Sequence, residues 1–224
     1  MNKHNAILVI VTSHAQLPNQ EQTGLWFEEY ATPVSLFTRQ GKTVTTASLS
    51  GGAVPIDPRS LPKQVDDAAT QSALAELQHT SPLRDVNLAN YDAVFFPGGH
   101  GTMFDFPDSA EVGHAIVTFL ESGRVVGAVC HGPAALVSAR YQDGTPVVKG
   151  RKLTSFSNEE ESAAQLDTLV PFLLQTRLAE LGAEFVTSPN WSDHVIVDGK
   201  LITGQNPQSS ASTATAMLQV MDTL

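Results

Sequence analysis

One stretch of this chain carries residue types able to do covalent chemistry. Val125–Val129 is an apolar run that reads as a buried strand, and it ends on Cys130-His131-Gly132-Pro133. Small residues follow, so a helix is expected to start there, with Pro133 in its first turn, where a missing N–H costs nothing. A strand that turns sharply into a helix presents its corner residue, as a nucleophile elbow does. The helix dipole at such a corner favours thiolate over thiol. Cys130 is the only cysteine of the chain. A buried core cysteine is the plain alternative. The corner position and the adjacent His131, whose ring can take or give a proton beside the sulfur, favour a nucleophile.

A thiol needs acid–base partners, and three segments offer them. Glu28 and Glu29 open the first expected helix, where the dipole favours acidic residues whatever else they do. Residues 97–105 are glycine-rich but lack the Lys-Ser/Thr of a phosphate loop. Their glycines suit a tight turn. They equally suit an oxyanion hole in which the Gly99 and His131 N–H groups face Cys130. His100 is either a substrate contact or a solvated loop histidine. Glu159, Glu160 and Glu161 are candidates to orient His131, although Asn158 with Glu161 three residues on also spells a capping box. The seven histidines are scattered with no HxxxH pair, so no metal site is expected.

The elements that must position these residues follow from periodicity. Strands are expected at Ala6–Val11, 44–47 and 92–96, the last running into Gly98-Gly99-His100. Helices are expected at 27–40, with Pro33 near its first turn, and at 66–79, with Ala69, Leu74 and Leu77 inward. Further helices are expected at 109–122, 158–165, 172–181 and 209–224. Residues 147–156, with Lys149-Gly150-Arg151 at their centre, read as a hairpin or strand pair. Short strands are expected at 185–186, 195–197 and 201–203, the last two joined by Asp198-Gly199. Strands alternating with helices imply a mostly parallel sheet sandwiched between helices. Sites in such sheets lie beyond the carboxyl ends of the strands. That rule gathers the loops after Val11, Phe96 and Val129.

The stretch 128–134, Ala-Val-Cys-His-Gly-Pro-Ala, resembles the nucleophile motif of the ThiJ/PfpI superfamily, which has a flavodoxin-like, class I glutamine amidotransferase-like fold. The resemblance runs from Ala6 to Ala216. It points to the branch of glutathione-independent glyoxalases, also described as heat-shock chaperones and protein deglycases. It implies one α/β domain over residues 1–224 with a small added subdomain. In that family a Glu four positions before a Pro faces the sulfur, which selects Glu29 over Glu28 by its distance from Pro33. An acid five positions after a Phe orients the histidine, which selects Glu161 by its distance from Phe156. The backbone groups matching Gly99 and His131 form the oxyanion hole. Trp191 and Asp193 match a Trp-Asp segment that walls the pocket or serves as scaffold, and 204–210 resembles the family's C-terminal turn. The implied activity turns a 2-oxoaldehyde such as methylglyoxal into D-lactate through Cys130, without cofactor or glutathione. A holdase or deglycase acting on unfolded or glycated proteins, with Cys130 as redox sensor, and an amide or peptide hydrolase stay open. A glutamine amidotransferase proper is disfavoured, because His194 is followed by Val195 and Ile196 rather than by the His-x-Glu pair. The resemblance also implies a homodimer.

Composition agrees with these expectations. With 23 acidic against 13 basic side chains the net charge is −10, which disfavours nucleic acid and anionic membrane as partners. A single cysteine excludes an intrachain disulfide and suits a reducing cytoplasm. The N-terminal apolar run is too short to span a membrane.

Overall fold

The computed structural model describes residues 5–65 and 67–223. A seven-stranded sheet runs through it in the order β3-β2-β1-β4-β5-β9-β8. Its members are β1 (Ala6–Val11), β2 (Thr43–Ser48), β3 (Ser81–Pro82), β4 (Ala93–Phe96), β5 (Val125–Val129), β8 (Val195–Asp198) and β9 (Leu201–Gly204). All pairs are parallel except β8 with β9. Strands β1, β4 and β5 are apolar throughout because helices cover both faces. Successive side chains alternate between two cores. Leu8, Ile10, Val94, Phe96, Val126 and Ala128 pack on one face with Val112, Ile116 and Phe119 of α4 (Ala110–Glu121). Ile7, Val9, Val11, Phe95, Val125 and Val129 pack on the other, with α1 (Phe27–Arg39) and α7 (Ser210–Met221). Each such side chain taken fully out of water contributes about 1.5–3 kcal/mol, so the central strands are the rigid frame of the molecule. No helix among the described residues is long and apolar enough to cross a membrane.

Several elements differ from expectation. Pro33 lies in the second turn of α1 rather than near the first, because the helix already starts at Phe27. In α2 (Ala68–Glu76) Ala73 is buried, Leu74 packs half-buried against the core and Leu77 is buried just past the helix, whereas Ala69 is exposed. The expected start of that helix at Asp66 and the end of the last at Leu224 lie outside the described residues. Residues 147–156 form no hairpin. Gly150, at φ +73°, turns the chain into β6 (Lys152–Leu153). Its partner is β7 (Glu184–Phe185), in parallel, in a separate two-stranded sheet. This small sheet, with α5 (Asn158–Ala163) and α6 (Leu174–Glu180), is the addition to the main sandwich. Asp198 belongs to β8 and pairs with Leu201, so the turn is Gly199-Lys200. Finally, the segment after Cys130 is a six-residue 3-10 helix, Gly132–Val137, instead of an α-helix. A dipole built from so few residues is small.

Candidate active site

The carboxyl ends of β1, β4 and β5 meet where the sheet rule puts them. Cys130 follows β5 with φ +60°, a left-handed conformation that a cysteine holds only when its surroundings enforce it. Its N–H donates to the Gly204 carbonyl (3.0 Å), and its own carbonyl accepts the Phe156 N–H (2.9 Å). The corner is therefore clamped from β9 on one side and from the α5 approach on the other. Gly132 permits the turn, because a Cβ there would overlap the Phe96 carbonyl oxygen. Gly98 permits the approach of Glu29, whose Oε2 would lie 2.7 Å from any Cβ at that position.

Glu29 is fully buried in the first turn of α1. That turn is pinned by the Trp26 N–H on the Gly98 carbonyl (3.1 Å) and by the Phe27 N–H on Ser60 Oγ (2.9 Å). Oε2 of Glu29 accepts the Gly98 N–H at 2.7 Å, while Oε1 has no oxygen or nitrogen partner. Burial pushes this carboxyl up to about 8, against the opposing hydrogen bonds from Cys130 and Gly98. It stays protonated at neutral pH. Glu28, one residue earlier, is exposed. Burial also pushes the Cys130 thiol up, and neighbouring carboxylates add to it, Glu29 most of all. The expected depression of the thiol by a helix dipole is therefore absent. Thiolate must instead be made by moving a proton, and His131 Nδ1 lies 3.4 Å from Sγ.

Glu161 orients that ring. Its Oε2 meets His131 Nε2 at 2.7 Å and its Oε1 meets His100 Nε2 at the same distance. A carboxylate only accepts, so both Nε2 atoms carry protons and His131 Nδ1 is left as the acceptor facing sulfur. Burial pushes Glu161 up, but the adjacent His131 and the hydrogen bonds from both histidines outweigh it and hold the carboxyl well below the usual range. Burial, with the adjacent His131, pushes His100 down to about 4, so it is neutral. The capping box of α5 is displaced by one residue from expectation. Ser157 is the N-cap and Glu160 its return partner, which frees Glu161 for the histidines. His100, His131 and Glu161 are also the one group among the described residues whose ligand atoms lie close enough to hold a metal ion. The two short hydrogen bonds already account for that closeness.

Gly99, His100 and Trp191 line a cavity of about 190 Å3 together with Cys130 and His131, whereas Asp193 is exposed outside it and accepts from Ser212 Oγ. The N–H groups of Gly99 and His131 are used by no turn, loop or cap hydrogen bond. The Thr102 hydroxyl lies between the carbonyls of these two residues, at 2.9 and 3.0 Å, and ties the two loops together. The Trp191 ring packs 5.6 Å from Phe156, which stacks 4.4 Å from His131. Three residues of the site escape sequence reasoning. Phe156 walls it, Arg59 reaches it from the 3-10 turn Pro58–Ser60, and buried Glu160 holds the Trp191 N–H at 2.9 Å. A larger hollow of about 520 Å3 near Leu83 and His114 contains no nucleophile.

A mostly parallel α/β sheet with a clamped cysteine elbow, an adjacent histidine and buried carboxyls defines a class of α/β proteins built around that elbow. The chain belongs to the DJ-1/PfpI family, which it matches over residues 24–220. It is 28% identical to glyoxalase 3 of Candida albicans over 93% of this chain and 94% of that protein. It is 39% identical to a probable glutathione-independent glyoxalase of Schizosaccharomyces pombe, over 65% of this chain and 59% of that protein. Among solved structures, glyoxalase III from Candida albicans superposes with a TM-score of 0.87 at 25% identity, covering 97% and 98% of the two chains. The Rapid Encystment Protein 24 kDa of Francisella tularensis superposes at 0.92 with 36% identity, covering 97% and 99%.

Proposed function

We propose that this protein is a glutathione-independent glyoxalase that converts methylglyoxal or a related 2-oxoaldehyde to D-lactate or the matching 2-hydroxy acid. The observation that carries the reading is a buried, protonated Glu29 against the only thiol of the chain, at a strained elbow. His131 Nδ1 takes the thiol proton, and the sulfur attacks the aldehyde carbon C1. Glu29 gives its proton to the aldehyde oxygen, forming a hemithioacetal. Now ionised, Glu29 removes the C1 hydrogen, while His131 returns its proton to the C2 oxygen, giving an enediol. Glu29 then delivers its proton to C2 as the C1 hydroxyl loses its own to water, leaving a 2-hydroxy thioester. Water adds to that thioester, the C–S bond breaks, and the hydroxy acid leaves with the thiol restored, while the proton shed to water returns to Glu29. The Gly99 and His131 N–H groups serve the oxyanion of the attack and hydrolysis steps. Glu161 keeps His131 in the tautomer that faces sulfur, and His100 and Trp191 line the substrate. Water is the only co-reactant, so atoms balance without a redox partner.

The test is turnover of methylglyoxal with and without glutathione, with the product assayed by a D-lactate-specific enzyme. Equal turnover in both is expected. It should fall by at least ~10⁴-fold in Cys130→Ser and after one equivalent of iodoacetamide. Full activity in the alkylated protein would remove the covalent route.

A further inference from the structure

The 3-10 turn Pro58–Ser60 does more than close a loop. Asp57, fully buried, caps it through the Arg59 N–H at 3.0 Å. The same carboxylate takes Arg59 Nε at 2.9 Å and Nη2 at 2.6 Å, and is itself steadied by Thr23 Oγ1 at 3.0 Å. The loop is fastened to the start of α1 by the Leu25 N–H on Pro55 O, the Asp57 N–H on Leu25 O and the Phe27 N–H on Ser60 Oγ. One edge of the guanidinium, Nε with Nη2, is therefore fixed on a rigid support. Nη1 has no hydrogen bond among the described residues, and the side chain is 45% exposed.

Arg59 and Cys130 line one cavity. The charge of Arg59 is felt at the catalytic centre: it helps to push His100 down, and Glu161 in turn pushes Arg59 up. Trp26, Phe156, Leu166 and Trp191 make much of the wall apolar, so a fixed cation there meets little competition from neighbouring donors. Glu28, at the rim, brings the opposite charge and confines the favourable region to the Arg59 side. At about 190 Å3 the cavity holds more than a three-carbon aldehyde and less than a drug-sized ligand.

We infer that Arg59 is an anion-binding residue of this site, and that the cavity takes a carbonyl compound whose far end carries a carboxylate, with the reacting carbonyl carbon at Cys130. For turnover this rests on the glyoxalase reading. For binding it rests only on Cys130 and Arg59 sharing one cavity.

Two pairs of probes that differ only in charge test it in wild type, Arg59→Lys and Arg59→Gln. The first pair is iodoacetate and iodoacetamide, alkylating Cys130. The second is 4,5-dioxopentanoate and its methyl ester, as substrates. The iodoacetate-to-iodoacetamide rate ratio is expected to fall about 10-fold in Arg59→Gln and to be largely kept in Arg59→Lys. The preference in kcat/KM for the acid over the ester should be about 10- to 100-fold and collapse in Arg59→Gln, as for a hydrogen bond to a charged group. Ratios that are the same in all three proteins overturn the inference. If neither oxoaldehyde is turned over while the alkylation ratio still depends on Arg59, the anion site stands and the glyoxalase reading falls. Turnover with no charge preference removes the anion site and leaves the glyoxalase reading in place. Should Arg59→Gln fail to fold, wild type decides: an attractive site requires the iodoacetate ratio to drop as salt rises, and a ratio that holds or climbs overturns it.

Discussion

The first turns of α1 and α5 both bring consecutive glutamates to the cavity, and the two turns sort them by different means. In α1 the sorting is by depth. Glu28 is exposed, and Glu29 is sealed beside the thiol with one oxygen on the Gly98 N–H and the other unengaged. In α5 both acids are buried and the sorting is by partner. Glu160 is saturated by the N–H groups of Ser157 and Trp191 and by the side-chain amides of Gln205 and Asn206. Glu161 meets only the two imidazoles. A carboxyl starved of donors keeps its proton, whereas one supplied by histidines gives it up. The same residue type thus becomes an acid in one place and a fixed anion in the other.

The largest expected effect separates Glu29 from Glu28. Glu29→Gln keeps size and a donor but exchanges no proton, so 2-oxoaldehyde turnover should fall by roughly 10²–10⁴-fold while Cys130 still alkylates. The loss in Glu28→Gln should stay below the ~10²-fold floor of a positioned acid–base. If Glu28→Gln proved dead and Glu29→Gln active, the assignment by distance from Pro33 would be wrong.

Next comes the α5 pair. Glu161→Gln sets an amide N–H against one of two Nε2–H groups, and turnover should drop about 10²-fold with little loss of stability. Glu160→Ala strands several buried donors and should cost about 3–5 kcal/mol in denaturant unfolding. A Glu160→Ala protein as stable as wild type would sink its structural role.

The pH dependence of stability should carry opposite signs at the two places. Glu29 binds its proton more tightly folded than unfolded, from 4.5 up to about 8. Folding therefore loses stability as pH rises through that window, on the order of several kcal/mol, and Glu29→Gln should flatten the decline. The folded-state shift of Glu161 is downward, so its contribution is present above 4.5 and lost as pH falls through the lower folded value. Glu161→Gln should flatten the acid limb instead. Denaturant midpoints from pH 2 to 9 for both variants measure this, and equal slopes in mutant and wild type would refute it.

The smallest expected effect is at Trp191, half-exposed and packed on Phe156. Trp191→Ala should raise KM by about 2- to 10-fold, the worth of one aromatic pair, and change kcat less. A larger fall in kcat than in affinity would move Trp191 from the wall into the chemistry.

Much of the fold and the site is legible in the chain because it is local. The uninterrupted apolar runs of β1 and β5 announce buried parallel strands, and the Cys-His-Gly-Pro corner announces the elbow. Glu29 is told from Glu28 only by the family resemblance, which selects it by its distance from Pro33. The α5 acids are readable only to within one residue, since Ser157 and Asn158 are both good N-caps and each choice frees a different glutamate. The strand pairing of 152–153 is hidden because Gly150 suggests a hairpin, while the true partner, 184–185, lies beyond two helices. Arg59 and the His100–Glu161 contact are invisible for the same reason. Nothing near Arg59 in sequence signals a cavity, and 61 residues separate His100 from its carboxylate.

The clamp on the elbow has a consequence for the order in which the chain is made. The carbonyl that takes the Cys130 N–H belongs to Gly204, and the N–H that takes the Cys130 carbonyl belongs to Phe156. Both are synthesised after the cysteine, and Gly204 only once β9 is made. A ribosome-bound chain that has reached only α5 or α6 therefore has nothing to impose the left-handed turn from the β9 side. The clamped geometry waits on the synthesis of β9, so a nascent chain short of it exposes a cysteine with an unconstrained backbone.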